Sequence, residues 1–325
     1  MNDMPLRLTC ADYARIMPLT TGAVRPEGVD LQLVLGSEGS WPARAEMLRR
    51  GLEDDSVAGG EASMGVHLRR IDQGDRSFVA LPIFVLRNFT ARDIYLRAGS
   101  GIHTPADLVG KRIGMYSWTA SGSIWYRHFL TYIGIDPAGV KWCIGEVDRP
   151  YATRAEPTLP PGVTVPKPGR SLSDMLVDGE LDAIYSPPRP ERYHPVNGPL
   201  VRLFPDCRDV ESAYYRETGV FPPQHLVVLR RAVWERDKTL ARRITDAFIR
   251  CEDMFRKSIR SFPYASPWLD SDLEAMEAVM GDNPYAHGVE ENRAMMEKFA
   301  EQGFRTGLTQ RRVAVEDYFA EYLAS

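Results

Sequence analysis

Three side chains with the chemistry for proton transfer or nucleophilic attack lie close together in the stretch GEASMGVHLRR, residues 60–70. They are Glu61, Ser63 and His67. A serine beside a histidine is typical of nucleophilic catalysis, and a buried carboxylate is suited to general acid catalysis. A helix that begins here would instead use Ser63 as its cap and would offer free N–H groups to an anion. The stretch is therefore consistent with a catalytic cluster, with the rim of a binding cleft, or with a capped helix alone.

The elements around this stretch follow from the periodicity of the apolar residues. Strands are predicted at 6–12, 29–35, 56–63 and 76–85, and a helix is predicted at 41–52. The alternation of strands and helices begins again after residue 92, and a further strand is predicted near 222–229, followed by helices. Such alternation predicts an α/β fold of two lobes, each with a mixed, mostly parallel sheet flanked by helices.

The predicted lobes are discontinuous along the chain. Lobe I comprises residues 1–88 and 223–325 and includes the C-terminal helices, and lobe II comprises residues 89–222. Ligands of open α/β sheets bind beyond the carboxyl ends of the strands, so a ligand cleft is expected between the lobes. His67 is expected on the surface of its helix, away from the cleft, which disfavours a serine–histidine nucleophilic pair.

Composition excludes several classes of protein. Hydrophobic residues make up 44% and charged residues 26% of the chain, which argues against extensive disorder. The net charge of −4, with both signs interspersed, offers no surface for nucleic acid or an anionic membrane. The sequence contains no apolar run of the length of a membrane span or a signal peptide.

Cysteine usage and motif searches point to a reduced, metal-free protein. The four cysteines are scattered and form no CxxC pair, which is typical of reduced thiols and of neither a disulfide framework nor a zinc site. GxGxxG, GxxxxGK[ST], HExxH and GxSxG are absent from the sequence. The expected location is therefore the cytoplasm, and an exposed face of the C-terminal helices would allow a homodimer.

Longer segments carry a family resemblance. GVDLQLV, ALPIFVLRNF, GIHTPADLVGKRIGMYSW and DGELDAIYSPP together resemble the periplasmic-binding-protein type II fold, in which two α/β lobes enclose a ligand cleft. Within that superfamily the chain is similar to the 4,5-dihydroxyphthalate decarboxylase family. The similarity extends over residues 6–320 and is most specific in RLFPDCRDVESAYYRETGVFPPQHLVVLRRAVWERD (202–237) and YASPWLDSDLEAMEAVMGDNPYAHGVEENR (264–293).

The resemblance implies a soluble, cofactor-independent decarboxylase of a small dihydroxylated aromatic acid. The family usually has Glu-Met-Ser where this chain has Glu61-Ala62-Ser63. It typically has a Pro-Glu-Tyr-Gln-Met-Thr type of segment at 116–121, where this chain has no carboxylate. This departure leaves open another metal-free enzyme that acts on a different aromatic or heterocyclic acid. A non-catalytic solute-binding or receptor protein is the second alternative.

A decarboxylase of this kind must manage the electron pair that the departing carboxylate leaves on the ring carbon. Without a cofactor the ring itself has to absorb these electrons, which a hydroxyl para to the carboxylate allows through a protonated quinoid intermediate. The site then needs a cation for a carboxylate, an acceptor for the phenol, and an acid beside the ring carbon.

Four residues are candidates for these roles in lobe I. His225 is the leading acid or base, with a hydrogen-bonded hinge histidine as the alternative. Arg87 follows a strand and is the candidate anion anchor, with a hinge or surface salt bridge as the alternative. Glu61 is a general acid if burial raises its pKa, or it accepts a substrate hydroxyl or pairs with Arg87, which would lower that pKa. Ser63 binds an anion at the helix start or only caps the helix.

A second group of candidates lies in a loop that enters a helix and along a neighbouring strand end. The loop residues are Tyr116, Ser117, Trp118, Thr119 and Ser121. Trp118 would stack on an aromatic ring while hydroxyl and N–H groups bind a second carboxylate, unless the loop is a hydrophobic plug with Ser121 as the helix cap. Further substrate contacts are expected from Tyr185, Ser186 and Arg189, which follow the strand LDAI, and from Tyr13.

Overall fold

The structure, a computed structural model, describes residues 5–36, 41–151, 159–261 and 266–325. The chain divides into two compact units. Unit 1 comprises Met1–Arg87, Pro223–Ala300 and Arg311–Ser325, and unit 2 comprises Asn88–Pro222 and Glu301–Gln310. The sequence analysis placed 301–310 in lobe I, whereas these residues group with unit 2, where they help to line a cavity.

The strands and helices of the described residues follow the alternation expected from the sequence. The strands are β1 (Leu6–Cys10), β2 (Leu31–Leu35), β3 (Gly59–Ser63), β4 (Phe78–Arg87), β5 (Ile94–Arg97), β6 (Arg112–Met115), β7 (Lys141–Ile144), β8 (Ala183–Tyr185), β9 (Leu200–Arg202) and β10 (Pro223–Arg230). The helices are α1 (Met17–Thr20), α2 (Trp41–Glu53), α3 (Met64–Asp72), α4 (Ser121–Tyr132), α5 (Leu172–Val177), α6 (Cys207–Thr218), α7 (Arg231–Arg236), α8 (Leu240–Ser261), α9 (Leu269–Met280), α10 (Arg293–Arg305), α11 (Val315–Tyr318) and α12 (Ala320–Leu323). Single 3₁₀ turns occur at Ala14–Ile16, Ala91–Asp93, Pro105–Leu108, Pro137–Gly139 and Glu290–Asn292.

The sheet of unit 1 has the order β2-β1-β3-β10-β4. β1 pairs in parallel with β2 and β3, whereas β10 pairs antiparallel with β3 and β4. Four strands therefore run in one direction and β10 runs against them, which confirms the expected mixed, mostly parallel sheet. β10 matters for the site because it inserts a late segment of the chain between two early ones.

The sheet of unit 2 has the order β7-β6-β8-β5-β9 and the same mixed character. β6 pairs in parallel with β7 and β8, and β5 pairs antiparallel with β8 and β9. Met115 at the end of β6 lies beside Tyr185 at the end of β8. The polar residues that follow these two strands are thus placed at the same edge of the sheet.

The core of unit 1 forms around β4, whose sequence FVALPIFVLR is buried along nearly its whole length. The helices α8 and α12 pack against it. Along α8, apolar residues recur at helical spacing and are buried: Ala241, Ile244, Phe248 and Cys251. None of the described helices combines the length and the apolar character needed to cross a membrane.

Candidate functional site

The side chains of Glu61 and His225 are in direct contact in unit 1. Nδ1 of His225 lies 2.6 Å from Oε1 of Glu61. Glu61 belongs to β3 and opposes Val227 of β10, while His225 of β10 opposes Ser63. Opposed residues of antiparallel strands point to the same face, so Glu61 and His225 are diagonal neighbours within reach of each other. Strand pairing thus joins two residues that are 164 positions apart in the sequence.

The imidazole of His225 is reachable by a ligand, whereas the carboxylate of Glu61 is not. The His225 side chain is 12% exposed and the Glu61 side chain is 0% exposed. The pairing of β10 with β4 shifts register on both sides of His225. Irregularities of this kind redirect a side chain and are common beside active sites.

Several donors surround the buried carboxylate of Glu61. The backbone N–H of Ala11 donates to Oε2 at 2.9 Å, and the hydroxyl of Tyr13 donates to Oε1 at 2.7 Å. The Arg44 guanidinium forms an ion pair with Oε1 at 3.0 Å and also donates to the Tyr13 hydroxyl. Burial alone would raise the pKa of Glu61, but His225, Arg44 and the Ala11 N–H outweigh it and lower the pKa to about 2.

An ionised Glu61 determines which histidine nitrogen can exchange a proton. A carboxylate only accepts hydrogen bonds, so Nδ1 of His225 carries a hydrogen and donates it to Glu61. Nε2 is then the nitrogen left to give or take a proton, as in catalytic histidines oriented by a carboxylate.

Two glycines allow the backbone of β3 to lie close enough to its neighbours for this arrangement. A Cβ at Gly60 would lie 2.0 Å from Oγ1 of Thr9 and 2.6 Å from the Thr9 carbonyl oxygen. Gly59 has a φ of +141°, and a Cβ there would lie 2.1 Å from the carbonyl oxygen of Val228. The close approach of β1 and β10 to β3 therefore requires glycine at both positions.

The thiol of Cys10 also lies beside Glu61, with Sγ 3.8 Å from Oε2. Burial and the negative charge of Glu61 raise the pKa of this thiol well above its ordinary value. Burial and the same charge raise the pKa of the Tyr13 hydroxyl. Both groups stay protonated near neutral pH, so neither supplies an anionic nucleophile here.

Pairing of Glu61 with Arg87, one of the alternatives that the sequence left open, does not occur, because β10 lies between the strands that carry them. Arg87 ends β4, and its guanidinium donates to the carbonyl of Ala286 at 3.1 Å and to the amide oxygen of Asn292. A raised pKa for Glu61, expected of a general acid, is also contradicted. The cation that accompanies Glu61 is Arg44.

Arg44 was missed by the sequence analysis. It is the fourth residue of α2, and a cation in the first turn of a helix is disfavoured by the helix dipole. This unfavourable position could have marked Arg44 as a candidate, since a nearby carboxylate would stabilise a cation there. Tyr13, which was expected only to contact the substrate, contacts Glu61 directly.

The capping role considered for Ser63 and the surface position expected of His67 are both wrong, and an anion contact of Ser63 stays a prediction. Ser63 stands at the start of α3, but its side chain makes no capping hydrogen bond with the helix. His67 is buried, not on the surface, and its ring packs edge-on against Tyr318 at 5.1 Å. Burial, with Arg70 and Arg76 nearby, lowers the pKa of His67 to about 3.

In the loop between β6 and α4 of unit 2, Ser117 and Thr119 make polar contacts, whereas Trp118 packs against another aromatic ring. The N-cap of α4 is Ala120, not Ser121, which is already the first helical residue. Oγ of Ser117 accepts the Ala120 N–H at 3.3 Å and lies 3.4 Å from Oγ1 of Thr119. The Trp118 ring is 7% exposed and packs edge-on against Trp142, with ring centroids 6.0 Å apart.

Two of the three candidates at the end of β8, Tyr185 and Ser186, lie in the interior of unit 2. Tyr185 is buried and stacks on Tyr126 with ring centroids 4.3 Å apart, and Tyr116 lies 6.2 Å away. Ser186 is buried and donates to the carbonyl of Pro188, whereas Arg189 is exposed. The role of these residues and of the loop in substrate binding stays a prediction.

Metal-ligating clusters were searched among the described residues. No group of three or more histidine, cysteine, aspartate or glutamate side chains there is arranged to hold a metal ion. The four cysteines are free thiols, and three of them are buried.

Comparison with known proteins identifies similar sequences over nearly the whole chain. The 4,5-dihydroxyphthalate decarboxylase of Comamonas testosteroni is 27% identical over 328 residues, which cover 98% of this chain and 97% of the relative. The 4,5-dihydroxyphthalate decarboxylase of Pseudomonas putida is 30% identical over 222 residues, which cover 66% of this chain and 83% of the relative. A family model described as NMT1/THI5 like matches residues 54–149.

Two solved structures with the same fold are sulfonate-binding proteins. The periplasmic aliphatic sulphonate binding protein SsuA of Escherichia coli aligns with a TM-score of 0.51 at 15% identity, covering 97% of this chain and 91% of its own. The alkanesulfonate-binding protein SsuA of Xanthomonas axonopodis pv. citri, bound to MOPS, aligns with a TM-score of 0.51 at 14% identity, covering 97% of each chain. At this identity the likeness shows the fold, and it confirms the expected periplasmic-binding-protein type II architecture.

Proposed function

The chain belongs to the 4,5-dihydroxyphthalate decarboxylase family, and from that premise we propose that it removes carbon dioxide from a hydroxylated aromatic carboxylic acid resembling 4,5-dihydroxyphthalate. The observation that carries the proposal is the 2.6 Å contact between His225 and Glu61. It supplies an accessible imidazole held in one orientation by a buried, ionised carboxylate, which is the arrangement that proton transfer to a ring carbon needs.

In the proposed reaction His225 is the catalytic acid. Its protonated Nε2 donates to the ring carbon that bears the carboxylate, and a hydroxyl para to that carbon supports the resulting cation as a protonated quinoid. The bond to the carboxylate then breaks, its electron pair returns to the ring, and carbon dioxide leaves. One proton is consumed and one carbon dioxide is released, and the neutral imidazole takes up a proton from solvent.

Glu61 acts in this scheme as a positioning residue. It is inaccessible to solvent, and its pKa of about 2 makes it a poor proton donor near neutral pH. Its carboxylate accepts the hydrogen of Nδ1 and keeps this side of the His225 ring directed inwards. Arg44 and Tyr13 hold Glu61 in place and ionised.

The ring of the substrate provides the electron acceptor, so the proposed chemistry is cofactor-independent. A hydroxyl para to the departing carboxylate is essential to it. The proposal therefore makes a prediction about substrates: 4,5-dihydroxyphthalate and para-hydroxylated benzoates release carbon dioxide, whereas phthalate, which has no hydroxyl, does not.

The experiment is to measure carbon dioxide release from this set of acids with purified protein. Turnover of the hydroxylated acids should fall by about 10²- to 10⁴-fold in His225→Gln, because one general acid contributes about this much. His103→Gln is the matched control, since His103 is exposed in unit 2 and its substitution should leave turnover unchanged. Binding of the acids without carbon dioxide release would instead support a solute-binding protein, and turnover retained in His225→Gln would remove this residue from the mechanism.

A further inference from the structure

Unit 2 contains a cavity of about 640 Å³ outside the Glu61–His225 site. Its walls include the side chains of Trp118 and Trp142, the prolines of the 160–161 pair, and Arg127 from the middle of α4. Cavities that bind small molecules have this size and are typically lined by apolar and aromatic groups with a few polar ones. The wall also includes Asp136, Gln302 and Arg305, and Arg127 is the fully buried charged residue among those that line the cavity.

Arg127 is fully buried, and its charge is only partly compensated. Nη2 donates to the carbonyl of Trp118 at 3.2 Å, and the guanidinium carbon lies 4.2 Å from the centre of the Trp118 ring. The other two guanidinium nitrogens, Nε and Nη1, have no hydrogen-bond partner in the part of the chain that the structure describes. A buried charge without a counter-charge is costly, and a bound anion would remove much of that cost.

The indole N–H of Trp118 is a second buried donor beside the cavity. It is buried, and among the described residues it has no acceptor. Two neighbouring side chains thus present donors to the same region, and donors without acceptors indicate a ligand that accepts hydrogen bonds. A carboxylate fits because its two oxygens match the paired donors of a guanidinium.

The remaining walls indicate what is attached to this carboxylate. The Trp118 and Trp142 rings meet edge to face at 6.0 Å, and Val140 and Val163 add apolar surface. An aromatic ring packs favourably against such faces. Burial lowers the pKa of Arg127 to about 9, so the side chain is still cationic at neutral pH.

We propose that this cavity is a binding site for a small aromatic carboxylate, whose carboxylate pairs with Arg127. Because the guanidinium is fully buried against the Trp118 ring, the ligand reaches it by displacing that ring. Binding therefore changes the surroundings of the indole. The site lies within unit 2 and does not depend on the proposed reaction at His225 in unit 1.

The test measures binding of benzoate by tryptophan fluorescence and by calorimetry, with neutral benzamide as the isosteric control ligand. Benzoate should bind and alter the fluorescence, and benzamide should bind at least tenfold more weakly because it lacks the charge. The same measurements in His225→Gln should give the wild-type affinity, which separates this site from the proposed catalytic one.

Variants connect the binding to Arg127. Arg127→Met should weaken benzoate binding by about 10- to 100-fold, the range expected for losing a charged hydrogen bond. Arg112→Met is the matched control, because Arg112 is also in unit 2 but pairs with Asp182 at the surface and is not part of the cavity wall. Benzoate should raise the Tm of the wild type and of Arg112→Met, and it should leave that of Arg127→Met unchanged.

Replacement of an uncompensated buried charge by an apolar side chain of similar size is often tolerated, so Arg127→Met is expected to fold. If it does not fold, Trp118→Phe provides the second variant, since it keeps an aromatic ring, although a smaller one, and removes the indole N–H, and it should weaken benzoate binding. Equal binding of benzoate and benzamide, absence of benzoate binding, or unchanged affinity in a folded Arg127→Met would each overturn the proposal.

Discussion

Glu61 and His225 occupy diagonal positions on two adjacent antiparallel strands, and their side chains meet on one face of the sheet at 2.6 Å. Neither residue lies on a flexible segment, since both belong to strands of the central sheet of unit 1. The orientation of the imidazole is thereby determined by backbone pairing as well as by the carboxylate. Functional groups placed on such rigid elements are held more accurately than groups on loops.

The first prediction concerns the charge of Glu61. Glu61→Gln keeps the size of the side chain but removes the negative charge that holds the Nδ1 side of the His225 imidazole in place. We expect kcat to fall by on the order of 10²-fold or more. KM should change little, because the Glu61 side chain is 0% exposed and is not available for direct contact with a substrate in this arrangement. Steady-state kinetics check this, with the exposed Glu46→Gln as control, and a raised KM at unchanged kcat would show that Glu61 binds substrate instead.

The second prediction concerns Arg44, one of the groups that lower the pKa of Glu61. In Arg44→Met this pKa should rise, since the ion pair at 3.0 Å is lost. Protonation of Glu61 would then begin at a higher pH, and the acid limb of the kcat/KM profile should move upwards in pH. Arg49→Met on the same helix is the control, because Arg49 pairs with Glu46 and Glu53 at the surface. A profile that coincides with that of the wild type would contradict the role assigned to Arg44.

The third prediction concerns stability against acid. Nδ1 of His287 accepts the backbone N–H of Phe84 at 3.1 Å, and burial with Arg15 and Arg87 nearby lowers the pKa of His287 to about 3. Between pH 6.5 and 3 the unfolded chain binds this proton and the folded chain does not, so stability falls as the pH falls through this window. His67 behaves in the same way.

Each such histidine should contribute a slope of about 1.4 kcal/mol per pH unit below pH 6.5. Urea unfolding at pH 6.5, 5.5 and 4.5 measures it. In His287→Asn, whose amide oxygen can still accept the Phe84 N–H, the slope should decrease by about this amount. The exposed His103→Asn should leave the slope unchanged. Equal slopes in all three proteins would mean that His287 is protonated in the folded state.

The fourth prediction concerns the close approach of β1 to β3. Gly60→Ala places a Cβ 2.0 Å from the Thr9 hydroxyl oxygen, so the strands must separate, and overpacking of this kind costs about 1–3 kcal/mol or more. Because Ala11 follows β1 and donates to Glu61, turnover should decrease together with stability. Gly139→Ala, where nothing lies within 4 Å of the new Cβ, should be nearly neutral in both assays. A stable Gly60→Ala with full activity would show that the sheet can adjust without disturbing Glu61.

Many of the strands and helices could be predicted because each depends on the pattern of apolar residues within a short segment of the sequence. Alternation of apolar residues marks the strands, and strand ends in this class of fold carry the polar residues of interest, which is why Glu61, Tyr13 and His225 were all candidates. The order of strands in a sheet is not a local property. Since β10 enters between β3 and β4, a Glu61–Arg87 pair does not form and the Glu61–His225 pair forms instead.

The burial of individual arginines could not be predicted from the sequence. Arg44 and Arg127 both lie on helices, where a single cation usually points to solvent, and local sequence does not distinguish the buried cases. Arg127 is enclosed because the loop before α4 folds its Trp118 ring over the guanidinium. Only tertiary packing, which depends on many distant residues, decides such positions.

The central place of β10 in the sheet also has a consequence for the order of folding. During synthesis β3 and β4 are complete long before β10 emerges, and until then each presents an unpaired edge towards the position that β10 will fill. The whole of Asn88–Pro222 must be made before this gap can close, which is a pairing of high sequence separation and therefore slow. The histidine–carboxylate pair is consequently among the last contacts to form, and a nascent chain acquires the proposed site only when the first unit is completed.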